Sequence, residues 1–330
     1  MYGLRQNDYK KEAVNWNAIK REKTQLFWNQ NIRQFWVDEE IPVADDKLTY
    51  KTLTDDQKDT YTKILAGLTL LDTEQGTLGT PQLAMAIEDL PTKSVLAFSG
   101  MMEHMHAKSY STIFSSLCTT AEIDQLFAWV KDEPLMQKKL AICSGDYYCK
   151  IKDEKSLYMA CAASVFLESF IFYSGFFYPL YLAGQGKLVS SGEIINLIVR
   201  DEVIHGMFVG TIAQEIFATK FDEEQQDKLE KEVKALLLQL YQIELEYTKS
   251  LYTKLGLVDD VVTYIQYHAD YALKNLGFAP MFGVQASQVN AIVMSGLDTK
   301  TKNHDFFSTK GNGYIKQSNV EKLSDEDFDV

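Results

Sequence analysis

Glu103-His104-Met105-His106-Ala107-Lys108-Ser109-Tyr110 and Glu202-Val203-Ile204-His205 are the stretches that decide how this chain folds. Each sets a carboxylate three residues before an imidazole: Glu103 before His106, Glu202 before His205. On a helix, positions i and i+3 share a face, so each motif offers a metal one oxygen and one nitrogen ligand. The chain holds 5 histidines, and two of them stand in this arrangement. One such motif is a weak signal; two call for the remainder of a dinuclear site.

In a four-helix bundle that remainder is one carboxylate from each of the other two helices. Asp72 lies 31 residues before Glu103, in Leu70-Leu71-Asp72-Thr73-Glu74, and Glu168 lies 34 before Glu202, in Val165-Phe166-Leu167-Glu168-Ser169-Phe170. Both spacings suit a helix, a turn and an antiparallel return. The chain thus reads carboxylate, Glu-x-x-His, carboxylate, Glu-x-x-His. The fold expected is all-α, a ferritin-like helical bundle with a dinuclear metal site in its four-helix core.

Charge supports the same six residues, Asp72, Glu103, His106, Glu168, Glu202 and His205. Four carboxylates balance two divalent ions, which makes their burial tolerable. An oxygen-rich set with two imidazoles suits iron or manganese better than soft-ligand metals. No cysteine belongs to it, which argues against a structural zinc site. Glu168 stands almost alone in the apolar run from Ser156 to Gly184. That run is long enough to span a bilayer, but a lone carboxylate at mid-membrane is costly. Pro179 and several tyrosines also interrupt it. A central bundle helix, with a metal as partner to the carboxylate, is the better reading.

At 46% hydrophobic and 24% charged residues over 330 positions, the chain is long enough for one large helical domain. A net charge of −13 argues against nucleic acid as a partner. The start, Met1-Tyr2-Gly3-Leu4-Arg5, lacks the apolar core of a signal peptide, so a cytoplasmic protein is expected. Cys118, Cys143, Cys149 and Cys161 show no framework spacing and are expected as buried thiols. Residues 1–50 read as an N-terminal arm with a short helix near Thr24 to Trp36, 51–298 as the bundle, and 299–330 as a flexible tail. Within the bundle, Thr54 or Asp55 is expected to cap the Asp72 helix. Pro81 and Pro91 are expected as breaks before a helix from about Thr92 to Ser116. Helices are also expected at Ser191 to about Ala218, Asp222 to Leu255 and Asp259 to Leu276. The acidic end, Glu321 to Val330, cannot build a core of its own. It reads either as a solubilising tail or as a peptide that docks through Leu323, Phe328 and Val330.

Three further residues carry open readings. Tyr110 lies four residues after His106, on the metal-facing stripe, where a tyrosine can lose a proton and an electron; a plain core tyrosine is the competing reading. Asp201 is turned about 100° from Glu202 and can accept a hydrogen bond from a ligand histidine, or be an ordinary surface acid. Trp36 is by default a core aromatic.

With these residues in view, the chain resembles the small, radical-generating beta subunit of class I ribonucleotide reductase, most like class Ib. The likeness runs from Asn15-Trp16-Asn17 to Asp325-Glu326-Asp327-Phe328 and includes Leu71-Asp72-Thr73, Leu167-Glu168-Ser169-Phe170-Ile171-Phe172-Tyr173, Arg200-Asp201-Glu202-Val203-Ile204-His205-Gly206 and Asn303-His304-Asp305-Phe306-Phe307. The resemblance implies that the six residues are the metal ligands and that Tyr110 carries a stable radical. It further implies a hydrogen-bonded path through Trp36, Asp201 and His106, and a tail tyrosine, Tyr314, that relays the radical onward. A dinuclear manganese or dinuclear iron cofactor is implied, two ions per chain. So are a homodimer, a large (alpha) subunit engaged through the tail, and a flavodoxin-like activator. The reaction implied is reduction of ribonucleotides to deoxyribonucleotides at a cysteine of the large subunit. The competing readings are a ferritin-like oxidase or oxygenase, a non-enzymatic metal-binding protein and a plain helical scaffold. None of them needs Tyr110, Trp36 and the tail together.

Overall fold

The computed structural model describes residues 12–18 and 22–297. Tyr314 and the acidic end lie outside the described residues. Among the described residues there is no strand. Four helical stretches carry the six metal-site candidates: Asp55–Glu74, Leu90–Leu117, the run through Glu154–Phe166 and Tyr173–Gly184, and Val189–Lys220. The first packs on the second and the third on the fourth, and the second also touches the fourth. Glu22–Gln34 lies against Leu90–Leu117 and Val189–Lys220, while Glu223–Tyr252 and Val258–Asn275 pack round the other side of the core. The fold is the ferritin-like bundle the motif spacing called for.

Local chemistry sets where these helices begin. Thr54 caps Asp55–Glu74 in a reciprocal box with Gln57. Asp89 accepts the Thr92 amide at 2.9 Å, and Pro91 sits in the first turn, where its missing N–H costs nothing. Asp153 and Asp222 do the same work for Glu154–Phe166 and Glu223–Tyr252.

Pro81 does not break the chain as expected. The Asp72 helix continues through a π-turn at Gln75–Gly79 into Thr80–Ala86. There the Thr80 amide reaches back five residues to the Gln75 carbonyl, and this wider ring leads directly into the proline at the start of the next α-helical segment. A second π-turn, Leu167–Ile171, holds Glu168, with the Phe172 amide on the Leu167 carbonyl at 3.3 Å. The apolar run Glu154–Gly184 is long and apolar enough to cross a membrane, yet its most apolar part is wholly buried inside the bundle. It is a core helix on all sides. The thiol expectation needs one correction: Cys143 and Cys161 are buried, Cys118 is half-buried, but Cys149 is exposed in the middle of the short 3-10 turn Tyr148–Lys150, and all four are free.

Candidate metal centre

Asp72 stands near the C-terminal end of its helix; Glu103 with His106 and Glu202 with His205 stand mid-helix, where a full backbone ladder fixes each face. All six residues are buried. Their ligand atoms fall into two groups, Asp72, Glu103, His106 and Glu202, and Glu103, Glu168, Glu202 and His205, each drawn together within 4.8 Å. Glu103 and Glu202 belong to both. Two overlapping donor groups of this kind would suit a pair of adjacent cations. His106 Nδ1 lies 2.9 Å from Glu202 Oε1 and 3.7 Å from Glu103 Oε2. His205 Nδ1 lies 2.8 Å from Glu103 Oε1, and 3.5 Å from both Glu168 Oε2 and Glu202 Oε2.

Close helix approach is what makes this density possible. A Cβ on Gly76 would stand 2.9 Å from the Cβ of Glu103 and 3.0 Å from the Gly100 carbonyl oxygen. One on Gly206, next to His205, would stand 2.2 Å from Ser169 Oγ, next to Glu168. At Gly76 a backbone oxygen and a Cβ stand in the way, so glycine is required there, whereas at Gly206 a side chain would make the Ser169 hydroxyl turn aside.

The donor set fits a pair of cations. Both oxygens of Asp72, Glu103 and Glu202, one of Glu168, Nδ1 of His106 and both ring nitrogens of His205 are buried without a well-formed hydrogen bond. Unpaired buried carboxylates are costly, and protons or metal must offset them. Without metal, protons do. Burial, with the charges of Glu103 and Glu202, pushes Asp72 and Glu168 well above the usual carboxylate range, although His106 and His205 pull the other way. Burial would hold the two histidines down. Bonds to Asp201, Glu103 and Glu202 raise His106 regardless, and Glu103, Glu168 and Glu202 raise His205. Burial likewise opposes ionisation of Glu202, but contacts with Glu168, His106 and His205 hold it below the usual range.

Further hydrogen bonds hold these side chains in place. Gln75 Nε2 donates to Glu168 Oε1 and, at 2.9 Å, to Ser164, while its own oxygen accepts from the Tyr148 hydroxyl at 2.9 Å. His106 Nε2 meets Asp201 Oδ2 at 3.1 Å. The same oxygen accepts the Trp36 indole N–H at 2.7 Å, and Asp201 Oδ1 accepts from Gln34 Nε2 at 2.7 Å. Asp201 is buried, so it is no surface acid. Were Nδ1 of His106 to face a cation, Nε2 would carry the proton and donate it to Asp201. The Trp36 and His106 rings stack at 6.1 Å. Tyr110 is fully buried; burial and the nearby charges of Asp72, Glu202 and Glu103 push its phenol well above its ordinary value. Gln75, Tyr148 and Gln34 went unread in the sequence. Only Gln75 left a trace there, three residues after Asp72 and so on the same face.

The chain matches the family described as "Ribonucleotide reductase, small chain" over residues 13–291. It is 53% identical over 319 residues, 96% of either chain, to the ribonucleoside-diphosphate reductase subunit beta of Bacillus subtilis (strain 168). It is 38% identical over 317 residues, 96% of this chain and 97% of the relative, to the ribonucleoside-diphosphate reductase 2 subunit beta of Escherichia coli (strain K12). Among solved structures, the dimanganese(II)-NrdF of Streptococcus sanguinis aligns with a TM-score of 0.84 at 41% identity, over 87% of this chain and 100% of that one.

Proposed function

Because this chain belongs to the ribonucleotide reductase small-chain family, we propose that it acts as the radical-generating beta subunit of a class Ib ribonucleoside-diphosphate reductase. It works with a large subunit, where ribonucleotides become deoxyribonucleotides. Asp72, Glu103, His106, Glu168, Glu202 and His205 would hold two manganese or iron ions, with Glu103 and Glu202 shared between them. When bound and oxidised, that pair supplies the one-electron oxidation of a nearby phenol. The dimanganese(II) form of the Streptococcus sanguinis relative favours manganese.

The chain's own residues do the rest. Tyr110 would give up an electron to that pair and its phenolic proton to the adjacent Asp72 carboxylate. Burial disfavours the phenolate and so keeps the phenol protonated until the electron leaves, and the absence of solvent contact keeps water from quenching the product. Asp201 Oδ2 joins the His106 and Trp36 N–H groups, so a proton leaving the indole nitrogen has an acceptor 2.7 Å away. Trp36 thereby passes the radical equivalent outward, and Tyr314 in the tail carries it to a cysteine of the large subunit. The observation that carries this reading is the Tyr110 phenol held dry beside Asp72 in a donor set built for two ions. A ferritin-like oxidase or a metal-binding protein would have no use for Tyr110, Trp36 or the docking tail.

The organisation we infer is an arm at 1–50, the bundle at 51–298 and a docking tail at 299–330. The protein would be a cytoplasmic homodimer, activated by a flavodoxin-like protein. In support of self-association, Leu26, Met101 and Met207 are exposed on three helices that pack on one another. Metal analysis with electron paramagnetic resonance tests the central claim. Two ions per chain and a tyrosyl signal are expected, and Tyr110→Phe should keep the ions while losing signal and turnover. Normal turnover by that variant would end the radical reading.

A further inference from the structure

Trp36 sits in a short non-helical link between Glu22–Gln34 and the 3-10 turn Asp38–Glu40, with Val37 extended at φ −130° and ψ 147°. Beyond its own packing and indole bond, a ring carried on such a link takes its register from what grips the backbone on either side. Before Trp36, Gln34 is tied down by Arg200, whose Nη2 donates to the Gln34 carbonyl at 2.8 Å, and by its own side-chain bond to Asp201. After it, Asp38 turns its carboxylate inward and is buried. Lys108 Nζ donates to both of its oxygens, at 2.6 and 2.8 Å, and the Thr112 hydroxyl donates to Oδ2. Lys108 and Thr112 stand four residues apart on one face of the helix that also carries His106 and Tyr110.

We propose that Asp38, Lys108 and Thr112 form a clamp that positions Trp36 for radical transfer, registering its ring against His106 and its indole N–H against Asp201. The clamp rests on the relay role assigned to Trp36 above. Its chemistry suits the task. A carboxylate with both oxygens engaged by one ammonium, and one of them also by a hydroxyl, is held in position and in rotation, which an apolar contact would not do. Burial would raise the Asp38 pKa, but Lys108 and Thr112 bring it below its ordinary value, so the grip stays charged through neutral pH. Its outer end is open: Lys108 is half-exposed, and Glu39 approaches it from solvent at 3.7 Å. The grip therefore depends on one buried carboxylate rather than on packing.

The test uses the full chain with its large subunit and compares Asp38→Asn, Lys108→Met and Lys108→Arg with Trp36→Phe. Asp38→Asn and Lys108→Met should keep metal content, the Tyr110 radical signal and affinity for the large subunit. Their kcat should fall about 10- to 100-fold, the scale expected when a reacting group shifts by about 1 Å. Lys108→Arg, which keeps the cation and its donors, should recover most of the loss. A kcat for Asp38→Asn within about twofold of the parent, while Trp36→Phe is inactive, would overturn the clamp and leave the relay standing. Full activity of Trp36→Phe would remove the relay, and the clamp with it. Joint loss of metal, radical and affinity in Asp38→Asn would make the contact a folding element only, and would also overturn the proposal.

Discussion

Stripped of metal, this bundle should lose stability as pH rises above neutrality, and manganese should abolish that loss. Asp72 and Glu168 have folded pKa values raised above their unfolded ones, so the native state keeps protons that the unfolded chain has released, and the fold weakens as pH climbs toward those values. His106 and His205 are raised as well; their contribution is complete below about pH 6.5 and fades as pH rises through the folded values. Glu202 is lowered, so its contribution is lost only in acid, outside this window. Between pH 6.5 and 8.5, a single extra native proton amounts to about 2.7 kcal/mol, from roughly 1.4 kcal/mol per pH unit. For a domain of this size, with an unfolding entropy of about 2.1 cal/mol/K per residue, that is a fall of roughly 4 °C in Tm. Metal binding requires the ligands deprotonated, so the loaded protein should hold level or gain over the same range. Manganese at about 100 times its Kd adds about 2.7 kcal/mol for each site filled. The assay is thermal unfolding at several pH values, with chelator and with manganese. Taking the difference of the two curves cancels groups outside the centre, including His268, which burial holds neutral. Parallel curves would refute the assignment of protons to the empty cluster.

Other outcomes follow from single contacts. Asp201→Ala removes the shared acceptor of His106 and Trp36, and metal titration should show affinity lower by about 10- to 100-fold. Lys139 and Glu244 form a fully buried pair beneath Tyr247, far in sequence from the metal ligands. Lys139→Met alone should cost about 3–5 kcal/mol in denaturant unfolding by leaving Glu244 unpaired, and adding Glu244→Leu should recover most of it. Removing residues 315–330 should abolish association with the large subunit, measured by sedimentation or calorimetry, while the Tyr110 signal persists; unchanged association would remove the docking role of the tail.

The six metal-site residues were legible because helix periodicity fixes which residues share a face, and because only a few carboxylates and histidines stood at the right spacing. Asp201 was legible for the converse reason: one residue from Glu202, it had to point elsewhere, and His106 lay there. The π-turns at Gln75–Gly79 and Leu167–Ile171 were not legible. A turn of five-residue hydrogen bonds uses the same residue types as an α-turn, so Pro81 looked like a stop and became a continuation. Gln75 as the partner of Glu168 and Lys139 as the partner of Glu244 join residues about a hundred positions apart, on separate helices, where no periodicity links them. The grip of Asp38 on Lys108 and Thr112 was hidden for the same reason.

The π-turn at Glu168 also bears on how such a site could arise or vanish. A residue inserted into an α-helix either rotates everything downstream by about 100° or is absorbed where it stands. Here it is absorbed. Glu154–Phe166 and Tyr173–Gly184 keep their seats in the core, and the surplus residue forms the bulge that carries the carboxylate. Metal chemistry and scaffold are to that extent separable. A one-residue deletion within 167–171 would straighten the helix, draw Glu168 out of register with its three partner helices, and leave an intact bundle with its centre dismantled.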